Sequence, residues 1–381
     1  MAANLLDTAR SLTPLIEAEA SEAEARGKLT ETVVAALDEA GMFGLMVPTD
    51  LGGAEADVVT ALEVLEEVCR ADASTGWALL ANVTSSAFAG AYCSDAAVKE
   101  MWSGSHPAIH AGQFAPRGTA DETDGGFTVA GRYSFASGSS HAGYLSGGTL
   151  QRDRAGALVI DSRGIPMIRA VFVPKDAAVQ LGNWDVMGLA ATHSIDYEIP
   201  EQFIDAGWTF PLLAAEVHRG GPVFHLGVLS LTSVGHAAFA LGAGKRAMEE
   251  ITTIVRAKHR LGADPVRDQQ LFQHDYAMHD AAMRSARAYV FEVFGAAQAA
   301  VDADSMPGAE LAQRLRQATT YATRIAAEAT RFAYTWSGSD GLRNPSVLGR
   351  CFRDVHAATQ HLFVDNNTLT QTTQLLLADQ P

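Results

Sequence analysis

Residues Gly125 to Gly143 read GGFTVAGRYSFASGSSHAG. The first half alternates apolar and polar residues, with Phe127, Val129 and Tyr133 as β-formers, and so predicts a half-buried strand. The second half is small and hydroxyl-rich. A strand that closes on Phe135-Ala136-Ser137-Gly138 offers an aromatic face, a hydroxyl and open backbone N–H groups at a sheet edge. That combination suits a flat ring with heteroatoms. The rest of the chain is expected to hold this stretch in place.

Working outward, AIHAGQFAP, GYLSGGTLQ, IRAVFVP, AAVQLGNWDV and SIDYEIP are further short β-type runs, spaced like the strands of a compact antiparallel sheet or barrel. RDRAGALVIDSRGIP between them reads as a surface hairpin. On the N-terminal side the apolar residues recur at helical spacing: Leu12, Leu15 and Ile16, then Val33, Val34 and Leu37 before Gly41, then Leu62, Leu65 and Val68. Ser74 to Tyr92 reads as an apolar helix whose one strongly polar interior residue is Asn82, a satisfied core amide or part of a pocket wall. On the C-terminal side, four long helical segments joined by short turns imply an antiparallel bundle. Its first segment has small and apolar residues on every face, and Asp264-Pro265 ends it. The fold class is therefore α+β and multidomain, with an N-terminal all-α domain over 1–107, a middle β-barrel or sheet domain over 108–210 and a C-terminal four-helix bundle over 211–381.

The chain has 381 residues, enough for two or three packed regions, and a net charge of −16. So acidic a balance offers no basic surface for nucleic acid or anionic membranes. Three cysteines, none in a CxxC pair, speak against a disulfide framework or a structural zinc site, and the twelve histidines form no metal-ligand cluster. MAANLLDTARSLTP lacks the basic and apolar regions of a signal segment, and no apolar run of membrane-span length stands out, so a cytoplasmic protein is expected. The Ala-rich helical faces predict a homo-oligomer, a dimer or tetramer.

The order of domains, together with GMFGLMVPTDLGGAEADVVTALEVLEEVCRADASTGW, GRYSFASG and TWSGSDGLRNPSVLGRCFRDVHAATQH, resembles the acyl-CoA dehydrogenase superfamily of flavoenzymes. The resemblance covers nearly the whole chain. It implies FAD or FMN as cofactor, with Phe135 against the isoalloxazine, Ser137 near flavin N5, and Gly138 beside them. The neighbouring strand through Gln113 and Phe114 would meet the pyrimidine edge. Lys258, where the family tends to have an Arg, would reach the cofactor phosphates. Trp336-Ser337-Gly338 stands where the family has Gln-x-x-Gly-Gly.

One departure matters more. Acyl-CoA dehydrogenation needs a carboxylate to take the α-proton, and in the family it comes from the last helix or the first bundle helix. Here Val355 to Val364 and Leu226 to Leu241 contain none. FASGSSHA and RDVHAATQH are closer to the flavin-dependent two-component monooxygenases of the same fold, which receive reduced flavin from a separate reductase. They hydroxylate aromatic or polycyclic substrates through a C4a-hydroperoxyflavin. That resemblance implies a catalytic set of His361, Ser137 and His110, with Asn82 and His361 in the substrate pocket; the histidine can accept a phenol proton or hold the distal peroxide oxygen. The alternatives are an acyl-CoA dehydrogenase with a non-standard base and a non-catalytic flavin-binding or assembly member.

Overall fold

A computed structural model describes residues 2–104, 106–258 and 264–378. Side-chain caps set the starts of the N-terminal helices. Thr30 accepts from the Val33 amide at the head of α2 (Glu31–Glu39), and Asp57 accepts from the Val59 and Thr60 amides at the head of α3 (Val58–Ala71). Asp72 caps α4 (Ala73–Tyr92) through the Thr75 amide. With α1 (Ala2–Arg26) and α5 (Asp95–Ser103), these helices close around one hydrophobic core, and α4 is buried along nearly its whole length.

The six expected strands form, as β1 (His110–Thr123), β2 (Gly126–Ala136), β3 (Tyr144–Arg152), β4 (Ile168–Pro174), β5 (Val179–Gly182) and β6 (Ile195–Asp205). The three-residue β7 (Thr209–Pro211) is too short to show alternation in sequence, and the 210/211 boundary falls inside it. The sheet order is β5-β6-β2-β1-β3-β4-β7. It is mixed rather than antiparallel, because β1 and β3 pair in parallel from His110↔Tyr144 onward. The turn after Ala136 causes this: it carries the chain across the end of β1 instead of reversing beside β2. β1 is also bulged between Gln113 and Gly118, next to that turn. Residues 152–166 form the surface hairpin, bridged at Arg152↔Leu158 and Ile160↔Pro166.

The C-terminal part has α6 (Gly227–Ala257), α7 (Gln270–Asp302) and α8 (Ala309–Ser337), but the fourth expected helix is broken in two. α9 (Val347–Ala358) and α10 (Asn366–Leu376) are separated by a turn at 359–365, because Asp365 caps a fresh helix by accepting from the Asn367 amide. His361 therefore sits at a helix break and not within a helix. Pro222–Ala257 is long and apolar enough to cross a membrane by composition alone, yet 83% of its most apolar window is buried inside the protein, where α6 packs on α3 and α8.

The three parts meet at buried charges. Arg350 on α9 donates through Nε to Asp72 Oδ1 at 2.9 Å. Asp354, 1% exposed, accepts from Ser74 Oγ on α4 at 3.0 Å and from the Leu189 amide of the β5–β6 loop at 2.6 Å. Arg353 and Asp354 do not form the ion pair that their adjacency suggests; Arg353 pairs with Glu24 of α1. Burial, and then the Asp72 carboxylate, push Asp354 up to about 7. An aspartate whose folded-state pKa lies above its unfolded value of about 4 contributes stability below pH 4 that is lost as pH rises through 7. Several buried histidines titrate with the opposite sign, so the effect is read as a difference. Between pH 5 and pH 8, the unfolding free energy of Asp354→Asn from urea titrations, relative to the wild type, should move in the variant's favour by roughly 1–3 kcal/mol. Parallel profiles would show that Asp354 is ionised throughout.

Candidate active site

The end of β2 and the loop facing it carry backbone strain. Phe135 closes β2 at φ 66°, and the facing loop holds Leu189 at φ 57° and His193 at φ 49°. Non-glycine residues in this region cost about 1–3 kcal/mol each and persist where surrounding structure enforces them. The enforcing contacts are visible: Gly138 N–H donates to the Thr192 carbonyl at 2.8 Å, and Ser139 Oγ donates to the His193 carbonyl at 2.8 Å. The outcome is a Phe135 ring 57% exposed at a strand end, edge-on to Trp184 at 6.3 Å. An exposed aromatic held by a strained backbone beside a hydroxyl fits a planar ring system.

Ser137 itself is nearly buried and lies in a chain of hydroxyls. Trp77 Nε1–H of α4 donates to Ser137 Oγ at 3.2 Å, Ser137 and Ser194 are 2.6 Å apart, and Ser194 and Thr192 are 2.6 Å apart. Thr192 donates to the Leu189 carbonyl at 2.7 Å, which fixes the direction: each hydroxyl passes its proton toward Leu189. Ser137 then keeps a lone pair, not a proton, for a ligand. Leu189 is the residue whose amide Asp354 holds, so the buried junction and the hydroxyl chain are one structure.

Trp77 also leads to the histidines. Its ring meets His361 edge-on at 5.7 Å and His236 at 5.1 Å, and the two imidazoles lie 4.4 Å apart. Phe363 stacks on His236 at 5.2 Å, and Phe239 closes on Trp77 at 4.9 Å. Ser137 and His361, 224 residues apart in sequence, thus share one tryptophan. His361 meets Trp77 and His236 on one side and is exposed to solvent on the other. Burial pulls both imidazoles below their ordinary value, His361 to about 4, with His361 adding to the shift of His236. Both rings are neutral near pH 7, and no carboxylate acts on either. His361 Nδ1 accepts the Phe363 amide at 3.2 Å, so its single proton is on Nε2. In this tautomer the neutral ring presents a donor, which suits holding an oxygen atom. His236 was not evident from sequence; a lone imidazole in the otherwise uncharged run Leu226 to Leu241 was the available signal.

The other expected residues are held by neighbours of their own. His110 is sealed between Trp102 and Tyr144, at 5.3 and 5.0 Å, with Nδ1 on Ser86 and burial pushing it down to about 3. It forms a wall. Asn82 donates to the His110 carbonyl and accepts from His141, both at 2.9 Å, so it braces the turn after β2. Gln113 has its amide on the Tyr197 hydroxyl, and Phe114 packs on Phe88 and Phe172. Lys258 is held by Asp340 at 2.7 Å and by the Ser337 carbonyl, so its charge is already paired. Trp336 packs on Phe272, Ser337 Oγ donates to the Tyr334 carbonyl, and Gly338 ends α8 at φ 60°. An open cleft of about 760 Å³ lies between α1, the 184–190 loop and Asn344-Pro345. It shares Trp184 with the platform but contains neither histidine.

Gly138 gives a direct check on the platform. At φ +75° it adopts a conformation that side chains resist, and an added Cβ would stand 2.2 Å from Asn82 Oδ1. Gly138→Ala should lower stability by about 2–4 kcal/mol in chemical denaturation. A loss under about 0.5 kcal/mol would mean that the turn is not packed as described.

Comparison with known proteins agrees with this architecture. Residues 4–104 match the acyl-CoA dehydrogenase N-terminal domain and residues 234–366 the acyl-CoA dehydrogenase C-terminal domain. Indole-3-acetate monooxygenase of Pseudomonas putida is 29% identical over 354 residues, covering 93% of this chain and 88% of that protein. HsaA, the oxygenase subunit of a flavin-dependent monooxygenase of Rhodococcus jostii, is 25% identical over 365 residues and 92% of each chain. The structure of XiaF from Streptomyces sp., in complex with FADH2 and glycerol, superposes with a TM-score of 0.89 at 20% identity, covering 100% of this chain and 96% of XiaF. The two family domains span more than half of the sequence, and the fold follows throughout: the chain belongs to the acyl-CoA dehydrogenase family.

Proposed function

We propose that this chain is the oxygenase component of a two-component flavin-dependent monooxygenase, hydroxylating a planar aromatic or polycyclic substrate. The observation that carries this reading is the neutral pair His236 and His361 in place of a carboxylate, on the far side of Trp77 from Ser137. Desaturating an acyl thioester requires a base strong enough to take an α-proton. Two neutral imidazoles of lowered basicity are poorly suited to that, and the aromatic rings around them favour a flat hydrocarbon ring. The relatives named as monooxygenases support the same reading.

Phe135 and Ser137 would hold the isoalloxazine of FAD or FMN, with Gly138 allowing close backbone approach. Bound reduced flavin would supply the electrons that activate dioxygen. The protein's own groups do the rest. Trp77, Phe239 and Phe363 exclude water, Ser137 offers its lone pair, and His361 presents Nε2–H to an oxygen in the box. A separate flavin reductase would be the partner. Exposed Leu271, Met278 and Leu377 on the C-terminal helices favour a homo-oligomer, and three buried free cysteines fit a reducing cytoplasm.

The test is to feed the full-length protein with reduced FMN or FAD from a generic NADH-dependent reductase, under ¹⁸O₂, with a panel of phenols and indoles. The expected result is one labelled oxygen atom in a product. Hydrogen peroxide alone across the panel, with bound oxidised flavin bleached by an acyl-CoA, would overturn the proposal in favour of a dehydrogenase. His361→Ala should lower product formation roughly 10–100-fold, the scale for loss of one oriented donor. Its affinity for flavin should stay within a few-fold of the wild type, and unchanged turnover would remove His361 from the site.

A further inference from the structure

The aromatic box has an uneven set of polar groups. Trp77 Nε1–H is used by Ser137, and His361 Nδ1 is used by the Phe363 amide, leaving His361 with a donor only. His236 is 5% exposed and makes no side-chain hydrogen bond among the described residues. Unlike His110 Nε2, its ring nitrogens are not wholly sealed from solvent. Its neighbours are Trp77 of α4, His361 and Phe363 of the 359–365 turn, and Phe239 of α6. Arg316 of α8 stands over Phe363, 5.4 Å from that ring's centroid. Apart from His361, none of the rings touching His236 is titratable. A neutral imidazole carries one N–H and one bare nitrogen. Apart from the Ser137 lone pair on the far side of Trp77, that bare nitrogen is the side-chain acceptor the box offers a substrate.

We infer that His236 determines substrate choice by accepting a hydrogen bond from an N–H or O–H on the aromatic ring, while His361 is fixed as a donor. This rests on the assignment of the box as the substrate pocket under the proposed function. The substrate class is then a planar ring bearing an N–H or O–H, an indole or a phenol, and not its N-methyl or O-methyl counterpart. A buried acceptor left unpaired by a methylated ligand lowers affinity by roughly tenfold or more.

The test needs no flavin turnover. Calorimetric titration of the full-length protein compares indole with 1-methylindole, and phenol with anisole. The wild type should prefer the unmethylated member of at least one pair by about tenfold or more. His236→Leu should bring that ratio to within about twofold, and His236→Asn, which restores an acceptor oxygen, should recover part of it. His361→Leu should weaken both members of the pair alike and leave the ratio standing. Equal affinities in the wild type, a ratio that survives His236→Leu, a ratio lost in His361→Leu, or no binding of any of the four would each overturn the inference. If His236→Leu does not fold, the wild-type ratio and His236→Asn still decide. Preference without oxygen transfer would contradict the monooxygenase reading and leave the role of His236 intact.

Discussion

Asp354 is the constraint on which the site depends. One buried carboxylate holds Ser74 at the start of α4 and the Leu189 amide in the β5–β6 loop, and it does so from α9. Each of these leads into the site by a short path. Ser74 is one turn from Trp77, and the Leu189 carbonyl ends the hydroxyl chain that orients Ser137. Three folding units are thus tied to the same few atoms. A buried charge with hydrogen-bonding partners is weak evidence for stability and better evidence for a specified geometry. Burial, and then the nearby Asp72 carboxylate, let the junction carry a proton near neutral pH against the opposing pull of Arg350, which an exposed aspartate would not do.

Polarity along α4 makes the same point. The helix is apolar and buried, yet Ser74, Trp77, Asn82 and Ser86 each bond outward: to Asp354, Ser137, His110 with His141, and His110 respectively. Two of these hold the wall behind the platform, one holds the junction, and Trp77 is shared by the platform and the imidazoles. The site is therefore rigid on the side of α4. Its other wall is the turn at 359–365, where the broken helix lets His361 face inward with its proton set by a backbone amide.

Much of this was legible in sequence. The alternation of GGFTVAGRYSF and the small residues after it located the platform, and the absence of a carboxylate around His361 was readable directly. Ser137 and His361 do converge. What sequence could not show depends on contacts between distant segments. The parallel pairing of β1 with β3 arises from where a turn crosses the sheet. The break before Asp365 was hidden because helical periodicity continues through it. His236 is a lone imidazole in an apolar run, and only the approach of His361 makes it part of a site. Lys258 and Asn82 are polar residues whose partners, Asp340 for the one and His110 with His141 for the other, sequence spacing does not reveal.

The most direct test is a crystal structure of the protein with reduced flavin bound under anaerobic conditions. The account places the isoalloxazine on the Phe135 side of the platform, with N5 within hydrogen-bond distance of Ser137 Oγ and the space beyond it walled by Trp77, His236 and His361. A flavin ring seated in the open cleft beside Trp184 and Arg353, out of reach of Ser137, would contradict it.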